Sequence, residues 1–174
     1  MNKGLLLESA RILSVLGRAI CIFGALVLGV GLLFVAFGGV SAFDAINAEM
    51  VEAGAPVSGR FALALVFGTG FVILLLGERF LQQLQKIIAS LPDGDPFIDE
   101  NAARLERMGW LALAMQVMGL LTTIYSFEVE RLASALEINS DVSIEGVFLV
   151  LILFILARVF RHGAAMREDL EGTV

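Results

Sequence analysis

Three stretches of this chain carry no charged residue: 19–43, 61–77 and 108–127, of 25, 17 and 20 residues. Such runs limit the possible folds severely, because a helix needs about 20 apolar residues to cross roughly 30 Å of hydrocarbon. The first run exceeds that length and must tilt or leave its outer end at the interface. The other two fit. A fourth run, 146–157, has 12 uncharged residues and alone covers only about 18 Å. Val142, Ile144, Val159 and Phe160 extend it, which places Glu145 and Arg158 near opposite ends of a helix over 142–160, where long side chains snorkel to the headgroups. A charge at mid-bilayer costs about 2.5–3.5 kcal/mol, most of which disappears near the interface. The pattern predicts an all-α polytopic membrane protein, a single membrane domain over 1–174. Its four-transmembrane-helix bundle would have spans over 19–43, 61–77, 108–127 and 142–160.

Composition excludes the competing classes. Of 174 residues, 58% are hydrophobic and 17% charged, against about 45–50% and about 25% in soluble domains. A soluble globular enzyme could not cover its surface with so few polar groups, and disorder needs the opposite composition. Cys21 is the only cysteine and His162 the only histidine. This leaves no intrachain disulfide, cysteine metal cluster or multi-histidine site, and makes a histidine-based triad implausible. No metal, cofactor or catalytic residue is expected, nor direct nucleic-acid binding, since the net charge is −6.

Lysine and arginine set the orientation. With four spans, one side carries Lys3, Arg11, Arg18, Arg79, Lys86, Arg104, Arg107, Arg158, Arg161 and Arg167; the other carries only Arg60 and Arg131. Both termini and the central connection 78–107 are therefore expected in the cytoplasm, with the tail 161–174 beside it. Trp110 and Tyr125, 15 residues apart, suit aromatic anchors at the two interfaces of the third span. Val40-Ser41-Ala42 resembles a signal-peptidase site, but the apolar run before it is longer than a signal sequence uses. An uncleaved span is expected.

The central connection is the richest in local signals. Phe80, Leu81, Leu84, Ile87, Ile88 and Leu91 repeat at helical spacing, so the second span should continue as an amphipathic helix that ends at Pro92. Asp93-Gly94-Asp95-Pro96 is turn chemistry. Asp95 reads as an N-cap with Pro96 at the first helical position, and Asp99 and Glu100 as an acidic first turn. That helix should run through Arg104 and Arg107 into the third span. Two short amphipathic helices are expected in the outer connections, one bearing Ile46 and Met50, the other Val129, Leu132 and Leu136.

Inside the spans, polar Gln116, Thr122, Thr123 and Ser126 are best read as interhelical hydrogen-bonding groups, and Ala25/Gly29 and Ala64/Gly68 as points of close packing. Arg18, Glu78 and Arg158 fall near the inner membrane edge, where the arginines snorkel and Glu78 serves as a partner.

Gly94-Asp95-Pro96-Phe97, followed by Asn101, Arg104-Leu105 and Gly109, resembles the central signature of a group of bacterial membrane proteins, the domain-of-unknown-function 2975 family. The tail from Leu156 to Val174, with its Ala157-Arg158-Val159-Phe160-Arg161-His162-Gly163 core, is similar to the C-terminal signature of that family. The resemblance implies four membrane helices in a bacterial inner membrane and no assigned activity. It also implies a neighbouring helix-turn-helix regulator in many members, hence a partner. Two functional classes follow. The first is a non-enzymatic inner-membrane sensor or anchor that regulates such a transcription factor through Asp95, Pro96, Phe97, Asn101, Arg104, Arg161, Gly163 and Arg167. The alternative is an oligomeric channel or small-molecule transporter, in which a ring of subunits turns Gln116 and the threonines toward the axis.

Overall fold

The computed structural model describes the backbone of residues 3–37, 59–91, 96–135 and 144–171, and the side chains of 7–37, 61, 64–91, 96–122 and 144–169. The described residues form four α-helices and no strand: α1 (Lys3–Phe37), α2 (Gly59–Ser90), α3 (Asp99–Ala135) and α4 (Ile144–Glu171). All three prolines lie outside these helices, as expected for a residue that lacks the amide hydrogen of a helical turn.

Among the described residues, two helices are long and apolar enough to cross a membrane, over Leu7–Phe37 and Ala64–Ser90. Of the apolar 18-residue window in each, only 11% of the first and 0% of the second is buried. This separates them from the core helix of a soluble protein, whose apolar residues are mostly covered. Both stretches reach further toward the expected inner side than the charge-free runs, and so take in Arg18 and Glu78.

Each of α1, α2 and α3 contributes one segment to each of two compact units. One unit comprises Ile22–Leu75 and Gln116–Val142. Within it α1 and α2 run antiparallel, and large side chains seat over glycines. A Cβ on Gly24 would stand 2.9 Å from Leu74, one on Gly29 3.2 Å from Phe71, and one on Gly31 3.3 Å from Phe67; in the reverse sense, Leu28 lies 2.9 Å from a Cβ built on Gly70. The spacing signal at Ala25/Gly29 therefore marks packing within the chain, and Ala25 is buried. Gly68 differs, with open space around it.

The second unit comprises Met1–Cys21, Leu76–Met115 and Ser143–Val174. Its core joins Leu105, Met108 and Ala112 of α3 to Val150, Leu153 and Ala157 of α4, with Phe80, Leu84 and Ile87 of α2 packed against them. Phe154 lies edge-on to Trp110, ring centroids 5.4 Å apart, and its ring comes within 3.1 Å of where a Cβ on Gly109 would sit. The most apolar stretch of α4 thus shares a layer with residues 80–87 and 105–112.

Three local expectations change. First, α3 begins at Asp99, not Pro96: the Ile98 carbonyl accepts the Asn101 and Ala102 amides at 3.0 and 3.2 Å and so occupies the N-cap. Asp99 and Glu100 do form the acidic first turn. Second, Val129 and Leu132 belong to α3 itself, not to a separate helix, because 120–135 contains no glycine or proline to end it. Third, the Thr122 hydroxyl donates to the Met118 carbonyl at 2.9 Å, a bond within its own helix. The side chains of Thr123, Tyr125 and Ser126, and the whole first outer connection with Ile46 and Met50, lie outside the described residues.

Candidate functional site

The turn from α2 to α3 is built on Asn101, whose side chain is completely buried. Its Nδ2 donates to Ser90 Oγ at 2.9 Å and to the Pro96 carbonyl at 3.0 Å. Its Oδ1 accepts from Arg104 Nη1 at 2.7 Å. The Ser90 hydroxyl donates to the Ile87 carbonyl at 2.8 Å, and the same Arg104 nitrogen donates to the Lys86 carbonyl at 3.4 Å. One amide therefore joins the last turn of α2, the chain before α3 and the first turn of α3. A buried side-chain amide is tolerated only when satisfied in this way. Asn101 holds the turn and offers no surface to another molecule, and Arg104 is largely committed to the same network.

Phe97 and the α4 tail form the accessible part. Phe97 remains 38% exposed and packs on Phe160, ring centroids 4.9 Å apart and tilted by 47°. Gly163 accommodates that ring: a Cβ there would lie 2.9 Å from Phe97 Cδ1. Beside it Arg161 Nη2 pairs with Glu106 Oε2 at 2.6 Å, both side chains exposed. A shallow hollow with a mostly apolar lining runs from Phe97 across Val159, His162, Gly163 and Met166 of α4. Arg167 is exposed one turn further along. The structure thus brings Pro96, Phe97, Asn101, Arg104, Arg161 and Gly163 into one unit; Asp95 lies outside the described residues.

A second polar cluster lies between α1 and α2. Arg18 donates through Nε and Nη2 to Glu78 Oε1, at 3.0 and 2.6 Å, and through Nη1 to Gln85 Oε1 at 2.6 Å. Arg79 Nε lies 3.6 Å from the other Glu78 oxygen. The expected partnership of Arg18 with Glu78 is present, while Arg158 lies apart on the hollow of α4.

Three participants, Ser90, Gln85 and Glu106, carried no sequence signal for these contacts, and Phe160, quoted within the tail signature, carried none for its pairing with Phe97. Each is identified only by a neighbour 11 to 67 positions away. No group of three or more histidine, cysteine, aspartate or glutamate residues converges among the described residues. What is present is a partly exposed ring beside an ion pair and an apolar hollow.

No curated protein and no solved structure matches the chain. A family model described as "Protein of unknown function (DUF2975)" matches residues 47–174, which include the turn, Phe97 and the α4 tail, and on that match the chain belongs to the DUF2975 family.

Proposed function

We propose that this chain is a non-enzymatic membrane protein that crosses the bilayer four times, with both termini in the cytoplasm, and regulates a cytoplasmic protein partner. The four-span reading is supported by surface chemistry. Large apolar side chains stand exposed along α1 from Ile12 to Phe37 and along α4 from Ile144 to Val159, more than a water-soluble monomer presents. Hydrocarbon supplies their cover.

The observation that carries the partner reading is Phe97. An aromatic ring held half-open on a hydrogen-bonded turn, with a charged pair at its side, has the character of an interface anchor. The partner is a small cytoplasmic regulator of the helix-turn-helix kind, which meets Phe97, Arg161 and Arg167. A signal acts on it by favouring one of two arrangements of the helices, since a ligand moves an equilibrium only through unequal affinity.

Purification in mild detergent with a candidate helix-turn-helix regulator co-expressed tests this. The regulator should co-elute with the unaltered chain, and Phe97→Ala combined with Arg161→Ala should lower its recovery at least about tenfold, the loss of one anchor of about 1.4 kcal/mol or more. Undiminished recovery with the double variant would remove the surface assignment.

A further inference from the structure

A groove lies between the first turns of α1 and the last turns of α2, within the unit that also contains the Phe97 site. Arg11, Arg18 and Lys86 line it, with Glu8 as the one carboxylate and Val15 and Ile88 among its apolar walls. Arg18 is committed to Glu78 and Gln85. Neither the Arg11 guanidinium nor the Lys86 ammonium has an ion-pair partner among the described residues. Gln85, another lining residue, gives its oxygen to Arg18 and keeps a buried Nε2 with no acceptor. The groove therefore contains two cations and one amide donor that need acceptors.

Its position narrows the choice of anion. The exposed apolar stripe of α1 begins immediately after Arg11, with Ile12, Leu13, Val15 and Leu16 all more than half exposed. That of α4 is continuous up to Arg158 and Val159. Cations at the foot of an apolar surface coincide with the level of headgroup phosphates, and basic pockets between helices on the cytoplasmic side suit anionic lipid.

We infer that this groove binds the phosphate-bearing headgroup of an anionic phospholipid, with Arg11 and Lys86 as its cationic contacts and an acyl chain lying along Ile12 and Leu16. The site rests on the membrane reading above and adds a lipid-composition input to the same unit. Lys86 links the two regions, because its carbonyl accepts from Arg104 of the Asn101 network.

The test is retention of lipid by the full chain. The protein is reconstituted in bilayers of equal phosphatidylglycerol and phosphatidylcholine, extracted in mild detergent, and its bound lipids are counted by native mass spectrometry. Phosphatidylglycerol should be enriched about tenfold, Arg11→Gln with Lys86→Gln should abolish the enrichment, and Glu8→Gln should increase it, each charge near the surface contributing on the order of a fewfold. Excess inorganic phosphate should not displace the lipid. Equal retention of both lipids, unchanged enrichment in the double variant, or no increase in Glu8→Gln overturns the site. Stripping by inorganic phosphate overturns the lipid in favour of a free anion. Should the double variant misfold by circular dichroism, Glu8→Gln decides alone. A chain that never enters the bilayer removes the membrane reading together with the site, whereas a chain that inserts without preference removes only the site.

Discussion

At the scale of single residues, Asn101 and Gly163 respond to substitution for different physical reasons. Asn101 satisfies three groups at once, so Asn101→Ala takes the amide donor from Ser90 Oγ, leaves the Pro96 carbonyl with only the Ile98 amide, and takes an acceptor from Arg104. The expected cost is about 1–3 kcal/mol, read as a lower unfolding midpoint in detergent. Ser90→Ala should cost less, and the double variant less than the sum, because the two share one hydrogen bond. Strict additivity would mean the amide does not hold the turn. Gly163 faces the root of the Phe97 ring, whose Cγ and Cβ lie 3.2 and 3.4 Å from where a Cβ would sit, and that end cannot swing clear without moving its backbone. Gly163→Ala should therefore push Phe97 off its seat and lower the unfolding midpoint, an overpacking cost of about 1–3 kcal/mol.

Among whole elements, the seam between α1 and α2 separates glycines that look alike in the sequence. Gly68 and Gly70 are two positions apart, yet Gly70 receives Leu28 at 2.9 Å while Gly68 has nothing within 4 Å. Gly70→Val should therefore cost about 1–3 kcal/mol by overpacking, and Gly68→Val should leave the unfolding midpoint nearly unchanged. Equal effects would show that the seam does not pack as described. The small-residue spacing announced a close approach without saying which member of the pair it needs, because that depends on the facing helix.

The same limit recurs in the caps. Pro92 correctly announced the end of α2, since a proline ends a helix through its own ring. Asp95-Pro96 named the wrong start for α3, since Asn101 draws the Pro96 carbonyl into a bond that a helical first turn does not make. Helix identity followed from long apolar runs, which are local. The partners of Asn101, Arg161 and Arg18 lie 11, 55 and 60 residues away, beyond any periodicity.

For the whole molecule, the depth of the inner membrane boundary decides whether four crossings are possible. Charge-free runs place it at Arg18 and Glu78. The packing argues for a lower level, because the apolar centre of α4 shares a core with Phe80, Leu84 and Ile87, which follow Glu78. With the boundary at Arg18, most of α4 would stand in water with Leu151, Ile152 and Ile155 exposed. With the boundary at Arg11, Lys86 and Arg158, α4 lies in hydrocarbon up to its arginine. Arg18 and Glu78 then become an intramembrane pair turned toward each other and toward Gln85, the arrangement in which ionisable groups are tolerated there. Cysteine labelling distinguishes the two levels. In a Cys21→Ala background, Glu8→Cys should react with a membrane-impermeant maleimide in inside-out vesicles, while Leu16→Cys, two turns along α1 and 53% exposed, should stay silent until detergent is added. If both react at the same rate, water reaches Leu16, and a stretch of α4 that packs at this level cannot be a fourth crossing.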